Sequence, residues 1–385
     1  MLILGACALP AAPAHAQVQG GAGTTPNELK LSVGLGGGYT SNPSLRSDNG
    51  ELIGDSIADL RGDLVDHRSS PRTDWSARYA ALYTRYGSNS EFDSINHALN
   101  FDGRYLLTRR THLKLLEYFF YTRNPLQIET TAPTNETVIL TRQSNRWRSV
   151  SDGSFDTTLS RSSILQVGAS SRIERIDRNP SIDIHTYSGR IGIQNQIGQK
   201  DGISSTYTYS RYNFHSDSTT DAETHGVDVS WSHGPPSGAG CMLSGGVSRV
   251  TQGGRGQNRF TAGATLHHPF RRLDFVSGYR RTLDADAAIA TVTVAQNAYA
   301  GITGTAGRWG SVGGFGEYGT RDSILETGEA VALKYAGGGI RASIAFNPRL
   351  SLSADARRRK QTSSTGTGDD LTVNTFFLGL VFQVF

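Results

Sequence analysis

Two cysteines among 385 residues give the chain no disulfide framework. Cleavage after Ala16 would leave Cys241 alone, so neither an intramolecular disulfide nor a thiolate metal cluster is available. Downstream of the N-terminus there is no run of about 18 apolar residues, which excludes a membrane-spanning helix. That test is blind to a transmembrane β-barrel, whose strands alternate apolar-out with polar-in. The 37% hydrophobic content and mean hydropathy of −0.37 are compatible with one. Charge is not concentrated either: 38 basic and 34 acidic residues are spread along the chain for a net charge of +4. No nucleic-acid surface is expected from such a distribution. The ten histidines lack metal-ligand spacing, and the neighbours His267 and His268 would point to opposite faces of a strand. There is no Gly-x-Ser-x-Gly elbow. The glycine runs at 34–38 and at Gly253-Gly254-Arg255-Gly256 precede no helical pattern, so neither is read as a phosphate loop. No catalytic residue, metal or other cofactor is expected, and no enzyme.

What the chain does contain is alternation. Residues 370–385 read DLTVNTFFLGLVFQVF, with Phe376, Leu378, Leu380, Phe382 and Val384 two apart and therefore on one face of an extended strand. An apolar strand that ends the chain is a sticky edge unless it pairs with the first strand and closes a cylinder. Such a segment, with an aromatic last residue, is how outer-membrane barrels end, and it serves there as a signal to the barrel-assembly machinery. Phe385 lies one position off the apolar phase. The alternative is an ordinary core strand at a domain end.

At the other end, residues 1–16 are small and apolar and finish in Ala14-His15-Ala16, the cleavage pattern of a secretory signal peptide. The basic n-region is missing, the first basic residue being Lys30, so the signal reads as truncated. Leu4-Gly5-Ala6-Cys7 is a weaker match to a lipoprotein box. Residues 17–27 form a Gly/Thr-rich leader, and 28–385 carry the repeat.

That repeat is two alternating stretches joined by a tight turn and followed by a longer polar loop. The tight turns are Ser69-Ser70-Pro71-Arg72, Thr108-Arg109-Arg110, Ser160-Arg161-Ser162, Gln199-Lys200-Asp201-Gly202, Pro235-Pro236-Ser237-Gly238, Phe270-Arg271-Arg272, Ala306-Gly307-Arg308 and Asn347-Pro348-Arg349. Between them lie longer segments such as 41–50, 125–138, 215–222 and 361–369. Eight turns and nine long loops connect about 18 strands, an even number that fits a bacterial barrel. The expected fold is all-β: one transmembrane antiparallel up-and-down barrel of about 18 strands, both termini periplasmic.

The strand phases follow from the same alternation. In 96–105, His97, Leu99, Phe101 and Tyr105 would face lipid, while Asn96, Asn100, Asp102 and Arg104 face the lumen. Applied throughout, this places Arg61, Arg78, Arg104, Arg146, Arg148, Arg172, Arg190, Arg259, Arg357 and Arg359 inside. Asp59, Asp63, Asp102, Asp152, Asp156, Glu174, Asp228 and Asp355 join them. Stretches 113–122, 288–302 and 307–318 do not resolve into faces, and the glycine-rich 335–340 is expected to hide a bulge. Trp75, Trp231 and Trp309 near tight turns and Trp147 near a long loop suit the aromatic girdles of a membrane barrel. The inner charges have two readings. One is a structural lattice of Arg–carboxylate pairs. The other is a selectivity lining that holds carboxylates or sulfates of a passing solute.

Gly38-Tyr39-Thr40-Ser41-Asn42-Pro43 resembles the Gly-Tyr-Asp-Ser-Asn-Pro pattern near the start of a family of outer-membrane barrels, and NHALNFDGRYLLTRRTHLKL at 96–115 is similar to its strand–turn–strand. This is the β-barrel porin type encoded in exopolysaccharide loci. Thr40 stands where the family has Asp. The resemblance implies export of an exopolysaccharide across the outer membrane, with polymer handed over by periplasmic polysaccharide-export proteins. A diffusion porin for small anionic or sugar solutes is the alternative, and a non-conducting surface scaffold or adhesin the next.

Overall fold

The alternating stretches form strands of 12 to 16 residues. That exceeds the roughly 9–11 residues a tilted strand needs to cross a bilayer. The computed structural model describes residues 27–42, 54–123, 144–177, 182–215, 220–234, 238–286, 291–307, 309–323, 332–363 and 370–385. The proposed signal peptide, nearly all of the leader, the loop at 125–138 and most of 41–50 and 361–369 lie outside them.

The strands are β1 (Glu28–Thr40), β2 (Asp55–Ser69), β3 (Thr73–Tyr86), β4 (Ser94–Thr108), β5 (Thr111–Thr122), β6 (Arg146–Thr158), β7 (Ser163–Ile176), β8 (Ile182–Gln196) and β9 (Asp201–His215). They continue as β10 (Ala222–His233), β11 (Gly240–Gln252), β12 (Arg255–Pro269), β13 (Leu273–Asp286), β14 (Thr291–Ala306), β15 (Gly310–Ser323), β16 (Ala332–Asn347), β17 (Leu350–Ser363) and β18 (Leu371–Gln383). Each pairs antiparallel with its sequence neighbours, and β1 pairs with β18, so the 18-stranded sheet is closed. Both described ends of the chain lie at the short-turn end.

Closure carries the apolar phase across the seam. Leu352 pairs with Leu380, Leu380 with Leu35, Leu35 with Leu60, Leu60 with Tyr83 and Tyr83 with Ile95. All of these last-strand and first-strand side chains share one face. Beyond the last strand, Val384 donates to the Leu31 carbonyl at 2.7 Å and the Phe385 carbonyl accepts from Leu31 at 3.2 Å. Phe385 thus completes the ladder through its backbone.

The apolar face is the exposed one: Leu35, Val247, Phe260 and Ile340 are 64, 58, 59 and 66% exposed. Leaving each such side chain in water forfeits roughly 1.5–3 kcal/mol. A belt of them around the whole wall is therefore a lipid-facing surface. The opposite face is the inside, because it brings together residues from strands far apart round the sheet, such as Arg172 of β7 and Asp284 of β13, 3.1 Å apart.

Several expectations are corrected. The register runs unbroken through 335–340, and the shift falls at Ala345/Asn347, beside the β16–β17 turn. The β11–β12 connection is not a long loop: Gly253 and Gly254, with φ of 57° and 76°, make a two-residue turn. Positive φ at both positions suits the right-handed twist of a hairpin, which explains the paired glycines. Stretch 113–122 lacked a polar face because Tyr118 and Phe120 are buried on the inside with Ala80 and Ala98.

The largest departure from an even cylinder is between β12 and β13. Their ladder stops at Ala262–Arg281, yet β13 and β14 remain paired as far as Asp286–Thr291. By phase, Leu283, Ala285, Val292 and Val294 continue the outer face of this hairpin. They are nevertheless packed with Ile176, Ile184, Phe214, Ala222 and Val250, which lie on the inner face of β7–β11. The long-loop end of β13–β14 is therefore tucked inside the neighbouring wall, outer face against inner face. Where β12 loses its partner, the Arg281 Nε donates to the Phe260 carbonyl at 3.2 Å, and its guanidinium lies 4.0 Å above the Phe260 ring. The side chain replaces a missing ladder bond at an edge that lipid could not hydrate.

Candidate permeation site in the lumen

Strand alternation puts one set of charged side chains from β2–β8, β10, β12 and β15–β17 into the lumen, where most are matched. Asp63 takes Arg61 at 2.6 Å and Arg78 at 2.7 Å. Arg190 holds Asp152 with two parallel bonds of 2.5 and 2.7 Å, the bidentate geometry that fits a guanidinium to a carboxylate. Lys114 pairs with Asp156, and Asp228 accepts from the Thr261 hydroxyl. On β15–β17, Asp355 joins Arg357 at 2.6 Å to Arg341 at 3.1 Å, while Arg359 reaches Glu317 at 2.5 Å.

One network crosses the lumen. Glu174, on β7 with its side chain only 1% exposed, is gripped by Arg146 and Arg148 of β6 and by Arg172 of its own strand. Arg148 approaches Oε2 at 2.8 Å and Arg172 at 2.7 Å. Arg172 turns its other terminal nitrogen to Asp284 on the tucked hairpin, 3.1 Å away, and Arg321 of β15 stands 3.8 Å from the second Asp284 oxygen. Four guanidinium groups thus converge on two carboxylates and tie β6–β7 to β13–β15. The apolar packing of the hairpin positions this network: with Val292 and Val294 sealed against β7–β11, Asp284 is brought beside Arg172.

Arg104, Arg259 and Arg280 differ from the rest. They lie on the inner face with no carboxylate within ion-pair distance among the described residues, Arg259 bonding only Gln257 at 2.6 Å. Asp102, near Arg104, likewise has no basic partner at that distance among the described residues. The sequence pattern did not place Lys114, Arg280, Asp284, Glu317, Arg321 or Arg341. Arg341 was findable from the alternation of Ile340, Ala342 and Ile344. Arg280 was masked by its neighbour Arg281, and nothing in the sequence signals that Asp284 crosses the lumen.

Outside, Trp75 packs 6.1 Å from Phe101 near the short turns, and Trp231 stacks 5.8 Å from His233 at the same end. Trp147 lies in the outer phase opposite Tyr121, near the long loops, and Trp309 sits exposed in the β14–β15 turn. Aromatic side chains therefore border the apolar belt at both rims, as at the two interfaces of a bilayer.

A closed 18-stranded wall with a lipid-facing belt and a charged interior defines a bacterial outer-membrane β-barrel of porin-like architecture. A solved structure bears out the fold. OpdO of Pseudomonas aeruginosa superposes with a TM-score of 0.50 at 10% identity, covering 93% of this chain and 98% of that chain. The outer membrane protein OpdK of the same organism gives 0.49 at 10% identity over 93% and 99%, and its siderophore receptor PirA 0.47 at 10% over 94% and 81%. At such identity the likeness is one of fold. Neither a protein-family model nor a curated protein matches the chain.

Proposed function

We propose that the protein is a passive outer-membrane channel for small anionic solutes, with its short turns and both termini in the periplasm and its long loops outside. The observation that carries this reading is the lumen-crossing network, in which four guanidinium groups meet two carboxylates among the described residues. Water cannot be excluded from so wide a barrel, so a solute carboxylate or sulfate exchanges water for fork-shaped guanidinium donors. Arg104, Arg259 and Arg280 extend the same chemistry along the wall. The matched pairs have the other role, stiffening the wall and fixing the rotamers of the arginines that line the path.

Export of an exopolysaccharide, which the sequence resemblance implies, makes a different demand. A polymer passing through this lumen must clear the tucked hairpin and its Arg172–Asp284 tie, and it needs periplasmic export proteins to deliver it. Small solutes need neither.

The test is planar-bilayer conductance of the refolded barrel under a salt gradient, joined to liposome uptake of gluconate and of an acidic polysaccharide. The expected result is an anion-favouring current, uptake of gluconate but not of polymer, and a weaker anion preference in Arg104→Ala. Polymer uptake would overturn the small-solute reading in favour of export. A current with no ion preference would remove the role given to the arginines.

A further inference from the structure

On the outer face of the barrel, the long-loop ends of β16 and β17 carry an unusual concentration of positive charge. Residues 357–360 read Arg-Arg-Arg-Lys, and alternation splits them: Arg357 and Arg359 turn into the lumen, whereas Arg358 and Lys360 are exposed outside. Lys334 on β16 shares their face, because Lys334 pairs with Thr362, Ala336 with Lys360 and Gly338 with Arg358. Three cations therefore sit within one strand pair. Lys360 has Asp370 at 3.1 Å, but Lys334 and Arg358 have no carboxylate within ion-pair distance among the described residues. Of the other outward arginines at this rim, Arg175 is matched by Asp177 at 2.8 Å and Arg211 by Asp221 at 3.8 Å, while Arg85 and Arg249 stand singly with no carboxylate partner among the described residues.

Like charges packed this closely on a sheet repel, and nothing in the lumen benefits from side chains that point away from it. Immediately towards the middle of the wall, on the same face, come Ile340 and Phe376, 66 and 52% exposed. The arrangement is amphiphilic: phosphate-seeking cations at headgroup level, one step from bare apolar wall. We propose that Lys334, Arg358 and Lys360 bind the phosphate groups of a phosphorylated glycolipid in the leaflet at the long-loop end, with its acyl chains against Ile340 and Phe376. This rests on the orientation given above, which puts the long loops outside.

The experiment is native mass spectrometry of the detergent-solubilised barrel, titrated with diphosphorylated lipid A and, separately, with its dephosphorylated form. The wild-type barrel is expected to retain the phosphorylated lipid. The combined Lys334→Gln, Arg358→Gln and Lys360→Gln variant is expected to bind it roughly a hundredfold more weakly. Unchanged heat-modifiable mobility and conductance in that variant show that the barrel itself is intact. Equal retention of both lipids, or equal binding by the two barrels, overturns the proposal. A tag inserted at 364–369 and labelled on intact cells reports orientation independently: a tag that cannot be labelled overturns the leaflet assignment even where the purified barrel binds lipid.

Discussion

Replacing Glu174 by Gln tests whether the lumen-crossing network both holds the wall and sets ion preference. The substitution keeps the size of the side chain and removes one charge from a carboxylate whose side chain is 1% exposed. Arg146, Arg148 and Arg172 then lose their shared counter-ion, and Asp284 is the carboxylate that remains in this network among the described residues. Breaking a buried pair by removing one partner costs about 3–5 kcal/mol, and access to lumen water places the expected loss at the low end, about 3 kcal/mol. The same change adds one unit of positive potential to the path. For a monovalent anion passing ~7 Å away in water, that is worth ~0.6 kcal/mol, or about threefold in local concentration. The effect should be read at about 10 mM salt, where the screening length is roughly 30 Å, and should shrink at 1 M. Urea unfolding from lipid vesicles measures the first quantity and reversal potentials in a planar bilayer the second. A variant with wild-type stability and wild-type reversal potential would refute the reasoning, since it would mean that Glu174 neither anchors the arginines nor counts in the field of the pore.

Two further outcomes separate the faces of the wall. Leu380→Arg, in the lipid-facing row that closes the barrel, is expected to cost about 2–4 kcal/mol on urea unfolding from vesicles, whereas Val381→Arg on the inner face should cost far less; equal costs would contradict the assigned phase of β18. Val294→Asp buries a carboxylate in the apolar seal between the tucked hairpin and β7–β11, so the hairpin should leave the wall and single-channel conductance should rise; unchanged conductance in a folded variant would show that the hairpin does not narrow the path.

The strand pattern was legible because a membrane barrel writes its two solvents into alternate residues. Leu378, Leu380 and Phe382 could be assigned from sequence because one face of β18 meets only lipid and the other meets water. The pattern failed where that premise failed. Tyr118 and Phe120 face inwards but are covered by neighbouring wall residues, so the stretch Tyr118–Tyr121 of β5 is apolar on both sides. Val292 and Val294 have the outer phase but are covered by another part of the barrel, and nothing in a local pattern records a contact between strands that far apart. The inner position of Arg148 or Arg190 follows from phase alone. Which carboxylate each one holds does not, because partners such as Arg172 and Asp284 are joined by curvature and tucking rather than by spacing.

The overlap at the β12–β13 break also means that the barrel does not have the same perimeter at both rims. At the short-turn end every strand contributes its full width to the hoop. At the long-loop end part of β13 and β14 lies inside β7–β11, so the wall there is doubled and the opening is drawn in, like a paper cone rolled past its own edge. A charged path with one narrow, arginine-gripped mouth and one wide mouth is an asymmetric electrolyte junction. Ions would pile up on one side of the constriction under one polarity and be depleted under the other, so the proposed channel is expected to rectify, its taper and its wall charge together giving current an easy and a hard direction.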